Sequence, residues 1–310
     1  FSTTLTPILV GRFISGVGIG AAIPAARRIV ILADPNHLGQ NLGRLLAAEV
    51  FGFAIGPAIS AALVGPFGIP APFVVVAAGT VVMLPFVARV AVTEGGPTAH
   101  RRLAIDLLKI RPFAGAVVLG AAVFVMIGSF DALWALVHDD LGTTKWVANL
   151  GITLFALPLI VLGPIGGRWA QVHGPFRIAA LGLVGGATFM TLYGLMPTGG
   201  LIFAVAMMHA VSDGLTVSST GVAVGMTVPD DRQAGAQGVL GGAQALAAGI
   251  MAVVTGALYD EFGRTVAYAV CAAVMLTLVA TGTWLARSAW SLKRPLHVEL
   301  VLPAAAPTAT

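Results

Sequence analysis

Apolar residues in this chain run on for about 20 positions at a time, and the polar residues collect between the runs. A helix that crosses a bilayer needs roughly 20 mostly apolar residues. By that rule the pattern predicts about nine spans: Leu5–Leu32, Gly43–Val64, Pro70–Val92, Phe113–Val137, Trp146–Gly166, Ile178–Met196, Leu201–Val224, Ala236–Leu258 and Val266–Ala286. Most connections are short and hold Pro, Gly, Asp or Asn, as turns do. One is long, polar and basic, Thr93–Pro112, and reads as a linker between two halves. A membrane β-barrel would alternate apolar and polar positions over segments of about ten residues. The predicted fold class is an all-α polytopic membrane protein.

The pattern also repeats. Gly43–Phe73 laid without gaps over Gly238–Tyr268 matches Gly43 with Gly238, Leu45 with Leu240, Ala48 with Ala243, Ile55 with Ile250, and the pair Phe67-Gly68 with Phe262-Gly263. Glu49 falls opposite Gln244, its amide counterpart. A membrane protein built of similar halves places its binding site between them.

Composition agrees with a lipid environment. The chain is 57% hydrophobic and only 10% charged, where soluble domains carry about 25% charge. The single cysteine, Cys271, cannot close an intrachain disulfide or build a thiolate cluster, so no metal and no redox role is expected. The net charge of +4 comes from loops. If the spans alternate in direction, one set of loops holds nearly all the basic residues, Arg27 and Arg28 among them; the opposite set holds Lys145 and Arg264, and Arg12 lies inside a span. Cytoplasmic loops carry such an excess. The expected location is the cell inner (plasma) membrane, with the C-terminus cytoplasmic and no nucleic-acid partner. The chain starts at Phe1 and enters a span at once, without a cleavable signal, and reads as a fragment of a longer protein.

Ionisable groups inside spans cost about 2.5–3.5 kcal/mol each on insertion scales and are functional candidates by default. They are Arg12, Glu49, Asp131 and Asp213, with His209 as a titratable fifth. Arg12, Gly16, Gly20 and Pro24 recur every four residues and form one helix stripe. Glu49, Gly52, Gly56 and Ser60 share a face, and Pro57 invites a kink. Plain helix packing explains these glycines but not Glu49; a buried carboxyl there can exchange protons. Glu49 and Arg12 lie toward opposite ends of their spans, so no direct ion pair is expected. His209 and Asp213 are four apart on one face and can share a proton. Asp131 and Trp134 in the fourth span, and Gln237 and Gln244 in the eighth, are candidate pocket residues. No nucleophile elbow, phosphate loop or zinc helix is present, and no enzyme activity or cofactor is expected.

These residues resemble the major facilitator superfamily, specifically its drug/proton antiporter branch. Gly11-Arg12-Phe-Ile-Ser-Gly16-Val-Gly18-Ile-Gly20-Ala resembles the family's fourth-helix motif, in which the arginine is implicated in proton coupling. Gly52-Phe-Ala-Ile-Gly56-Pro57-Ala-Ile-Ser60 resembles the fifth-helix antiporter motif, with Ser60 and Ala61 in place of its closing glycines. Gly167-Arg-Trp-Ala-Gln171-Val-His-Gly174-Pro-Phe-Arg177 resembles the loop motif between helices eight and nine, with Gln171 and Val172 where that motif has Asp and Arg. The resemblance implies a twelve-helix, two-bundle fold. It assigns 1–92 to the last three helices of the first bundle, 93–112 to the linker, 113–287 to a complete six-helix second bundle and 288–310 to a disordered tail.

The function so implied is proton-coupled efflux of small amphipathic compounds by alternating access, performed by a monomer. Its partners are the substrate, protons and the bilayer. Arg12, Glu49, Asp213 and His209 are the proton-coupling candidates. Gly16, Gly20, Gly52, Gly56 and Pro57 form the packing motif. Uptake of a sugar, organic acid or other nutrient is the alternative on the same fold. A non-transporting membrane enzyme or assembly partner is the alternative of another class. With part of the first bundle missing, the fragment alone is expected not to transport.

Overall fold

A computed structural model describes residues 5–89 and 104–294. Most of the expected linker, and the tail from 295 onward, lie outside the described residues. Among those described, no strand occurs, and nine helices are long and apolar enough to cross a membrane. They are α1 (Leu5–Ala33), α2 (Pro35–Phe67), α3 (Pro70–Val87), α4 (Arg111–Asp140), α5 (Lys145–His173), α6 (Pro175–Leu195), α7 (Gly199–Thr227), α8 (Asp230–Phe262) and α9 (Arg264–Ala289).

Most of the helices run past the predicted apolar spans, and α2 does so from a capped start. Asp34 accepts hydrogen bonds from the Asn36 and His37 N–H groups at 3.2 and 3.3 Å, and Pro35 occupies the first helical position. The α2 element therefore starts eight residues before Gly43. Residues 104–109, expected as linker, form a 3₁₀ turn, Ala104–Lys109. The α7 element is broken at Val217 and Ser218, between Gly199–Thr216 and Ser219–Thr227.

The repeated Phe-Gly pair forms the same turn twice. Gly68, between α2 and α3, has φ 80° and ψ 171°; Gly263, between α8 and α9, has φ 80° and ψ 176°. That region of backbone space is open essentially to glycine alone. Phe67 and Phe262 are both exposed beside these turns.

The main apolar core lies within α4–α9. Phe113, Leu119, Leu133 and Trp134 of α4 are buried against Phe176, Met190 and Tyr193 of α6, Leu240 of α8 and Tyr268 of α9. Glycines set how closely α4 approaches its neighbours. A β-carbon on Gly128 would lie 2.7 Å from the Ala248 Cα of α8, and one on Gly115 would lie 2.7 Å from the Gly282 carbonyl oxygen of α9. Backbone-to-backbone contact of this kind stands in for the hydrophobic drive that lipid cannot supply.

A second, smaller cluster joins α1 and α2 to the rest. Ile31, Leu38 and Leu42 are buried with Ala170 of α5 and Val222 of α7. Here α2 and α5 cross glycine on glycine. A β-carbon on Gly39 would overlap the Gly167 carbonyl, and one on Gly43 the Gly163 carbonyl. Gln171 fastens the crossing: its Oε1 accepts from the Gly39 N–H at 2.7 Å, and its Nε2 donates to the Asn36 carbonyl at 2.6 Å. Arg294 lies over the same joint, its N–H donating to the Gln171 carbonyl at 2.9 Å and its guanidinium to the Pro35 carbonyl at 3.3 Å.

Candidate functional site

Above this joint lies a cavity of about 310 Å³. Its walls come from α1 and α2 on one side and from α4, α5, α7 and α8 on the other. Most of the wall is apolar, including Phe53, Phe124, Phe130 and Phe155. Into it open three carboxylates, Glu49, Asp131 and Asp213, and one cation, Arg27. Gln244 and the broken turn at Ser218 add neutral polar groups. An apolar cleft with a few convergent polar groups is the usual form of a small-molecule site.

Arg27 was expected in a loop. It lies inside α1, which continues to Ala33, and its side chain is only 17% exposed. Its guanidinium sits 3.8 Å from the Glu49 carboxylate. Glu49 thus pairs with Arg27, and no contact with Arg12 is present. The signal for Arg27 was its place within the first apolar run, more than a turn from the run's end.

His209 and Asp213 are brought together as their spacing predicts, with Nε2 3.4 Å from Asp213 Oδ1. Both are buried. Around them is a shell that the sequence did not single out. Tyr193 Oη lies 2.8 Å from His209 Nδ1, Met126 Sδ lies 3.2 Å from Nε2, and the Phe189 ring stacks on the imidazole. Nε2 faces only acceptors, the carboxylate and the sulfur. It therefore carries the ring hydrogen, and Nδ1 accepts from the Tyr193 hydroxyl. The chain Tyr193–His209–Asp213 runs from the α6–α7 contact to the cavity wall.

The other candidates divide. Asp131 and Gln244 line the cavity. Trp134 does not: it is buried beside Phe130, its indole N–H donates to the Ala148 carbonyl at 3.0 Å, and its ring fills the space over Gly151. Gln237 is also buried off the cavity and donates to the Gly221 carbonyl at 3.2 Å. Arg12, Gly16, Gly20, Gly52, Gly56 and Pro57 are exposed, and the four glycines have open space where a side chain would be.

The sequence model of the Major Facilitator Superfamily matches residues 116–300, more than half of the chain. The chain belongs to the Major Facilitator Superfamily. No curated relative matches it. As a superfamily member it is an integral membrane transporter, and the family's work is transport rather than enzyme chemistry. In this superfamily member the cavity lies where α1 and α2 meet α4–α9.

Proposed function

We propose that the protein exports small amphipathic compounds in exchange for protons, by alternating access. The observation that carries this reading is the cavity between two groups of helices, apolar in most of its wall and holding ionisable groups from both sides. In the proposal, α1–α3 belong to one rocking half and α4–α9 to the other. The Gly39/Gly43 crossing on Gly163/Gly167 is the closed gate of the present state, at the basic end, which we assign to the cytoplasmic face of the inner membrane.

Aromatic side chains and carboxylates together suit a compound with an apolar body and a polar or cationic group. Asp131 and Gln244 are assigned to that compound. Asp213, held by His209 and Tyr193, and Glu49, held by Arg27, are assigned to the proton. Protonation of Glu49 would end its attraction to Arg27, which spans α1 and α2. Protonation of Asp213 would remove the charge that competes for the substrate. A ligand shifts a conformational equilibrium only through such a difference between states. Arg12 remains a coupling candidate through its motif alone.

The test is uptake of a labelled lipophilic cation into inverted vesicles carrying the full-length protein. The reading expects accumulation when the vesicle interior is acidified and its collapse on adding a protonophore. Accumulation that persists without any proton gradient would remove the coupling.

A further inference from the structure

At the basic end of the helix bundle, on the side away from the cavity, α4 begins next to the end of α9. Gly115 makes this possible: a β-carbon there would lie 2.7 Å from the Gly282 carbonyl and 2.9 Å from the Ala286 Cβ. The close approach brings Arg111 and Arg287 to one indole. Their guanidinium carbons lie 5.4 and 5.8 Å from the Trp284 ring centre. Trp284 is 55% exposed, and both arginines are exposed.

Neither arginine has a carboxylate or hydrogen-bond partner among the described residues, and the Trp284 indole N–H has no acceptor there. The nearest acid along the chain, Asp106, is bonded to Arg232. The flank of the site is greasy. Ile105 and Leu108 of the 3₁₀ turn and Leu276 of α9 are exposed apolar side chains. Tryptophan at the end of a lipid-facing helix marks the headgroup level of a bilayer. Two like charges meeting at that level, with no acid between them among the described residues, call for an anion.

We propose that Arg111, Arg287 and Trp284 form a binding site for the phosphate of an anionic phospholipid. The two guanidinium groups take the phosphate oxygens, for which their fixed donor geometry is suited. The indole N–H adds a third donor. The acyl chains run along the exposed face of α9 past Leu276. The occupant is a lipid rather than a soluble phosphate because the apolar flank continues from the site into the membrane-spanning surface. The site stands apart from the transport cavity and does not depend on what is transported.

The experiment is native mass spectrometry of the purified 310-residue chain in detergent, titrated with phosphatidylglycerol or with phosphatidylcholine. Phosphatidylglycerol adducts are expected at several-fold lower lipid concentration. Each arginine near an anionic headgroup changes affinity by roughly fivefold, so Arg111→Gln with Arg287→Gln should weaken phosphatidylglycerol binding by about 25-fold and leave phosphatidylcholine unchanged. Arg168→Gln, an exposed arginine elsewhere at the same end, should change neither. The lysine variants Arg111→Lys with Arg287→Lys keep the charge and should retain part of the preference, which separates loss of the site from loss of the fold. Equal binding of the two lipids, or a double glutamine variant that binds as the parent does, would overturn the proposal. So would displacement of the lipid by inorganic phosphate at millimolar concentration.

Discussion

The two parts of the molecule are both rich in glycine and obtain different results from it. In α4–α9, the glycines Gly115, Gly128, Gly166 and Gly182 sit against backbone or side chains so close that a methyl group would not fit. In α1–α3, Gly16 and Gly20, like Gly52 and Gly56, lie four residues apart and have nothing within contact distance. The first part of the chain meets the second most tightly where Gly39 and Gly43 cross Gly163 and Gly167, and α1 also packs on α8, with Pro24 3.8 Å from where a β-carbon on Gly238 would lie. A small-residue stripe is therefore a capacity for close approach. Which stripe meets which partner is set by three-dimensional arrangement, and the difference can be measured.

The largest contrast is expected between Gly128→Leu and Gly52→Leu. At Gly128 the new side chain must displace the Ala248 backbone of α8, an overpacking of about 3 kcal/mol; at Gly52 it enters open space, and the stability change should stay under about 1 kcal/mol, in the favourable direction, since glycine is the poorer helix former. Thermal unfolding of the two variants in the same detergent compares them directly. Equal losses would mean that the Gly52 stripe is packed after all. Next comes Gly43→Leu, which drives a wedge into the α2–α5 crossing. With Cys271 replaced by serine and a cysteine introduced by Leu46→Cys on the cavity wall, labelling from the basic side should become several-fold faster. Unchanged labelling would show that this crossing is not the gate.

Gln171→Ala is expected to act at the same joint more mildly. It removes one acceptor and one donor that tie α5 to the start of α2, a loss of about 1–3 kcal/mol, read as a drop in the unfolding midpoint and a smaller rise in the same labelling rate. The smallest effect concerns Asp34 before α2. Its slight burial raises its carboxyl, but hydrogen bonds from the His37 ring and N–H, the His37 charge and the Asn36 N–H outweigh this and leave it below its ordinary value. A carboxyl lowered in the folded state adds stability above its unfolded value and loses it as the pH falls through the folded one. Asp34→Ala should therefore cost up to about 1 kcal/mol at neutral pH, and the difference from the parent should fade below pH of roughly 4. A difference that stays constant to lower pH would assign the cap to something other than the carboxylate.

Much of this architecture could be read along the chain. Length and hydropathy gave the nine spans, because a lipid-facing helix needs an unbroken apolar run. The Phe-Gly repeat gave a shared turn, because only glycine takes that backbone conformation. His209 and Asp213 met because residues four apart on a helix always share a face. The rest depended on contacts between distant segments. Gln171 and Gly39 are 132 positions apart, and no local pattern ties them. Tyr193, Met126 and Phe189 look like ordinary core residues until α4, α6 and α7 enclose the imidazole. Arg27 looked like a loop charge because a basic residue near a helix end usually reaches water; here α1 continues, and Glu49 holds it. Trp134 and Gln237 were plausible pocket residues by type, but Trp134 packs over Gly151 and Gln237 is held by the Gly221 carbonyl.

The central claim is that the cavity exchanges substrate for protons through Asp213. The most direct measurement follows a pH-sensitive dye inside inverted vesicles while lipophilic cations, antibiotics and sugars are added in turn, comparing the parent with Asp213→Asn. The account expects at least one amphipathic compound to trigger proton release from the parent, and no release from Asp213→Asn inserted to the same level. Proton release that is equal in the two would contradict it.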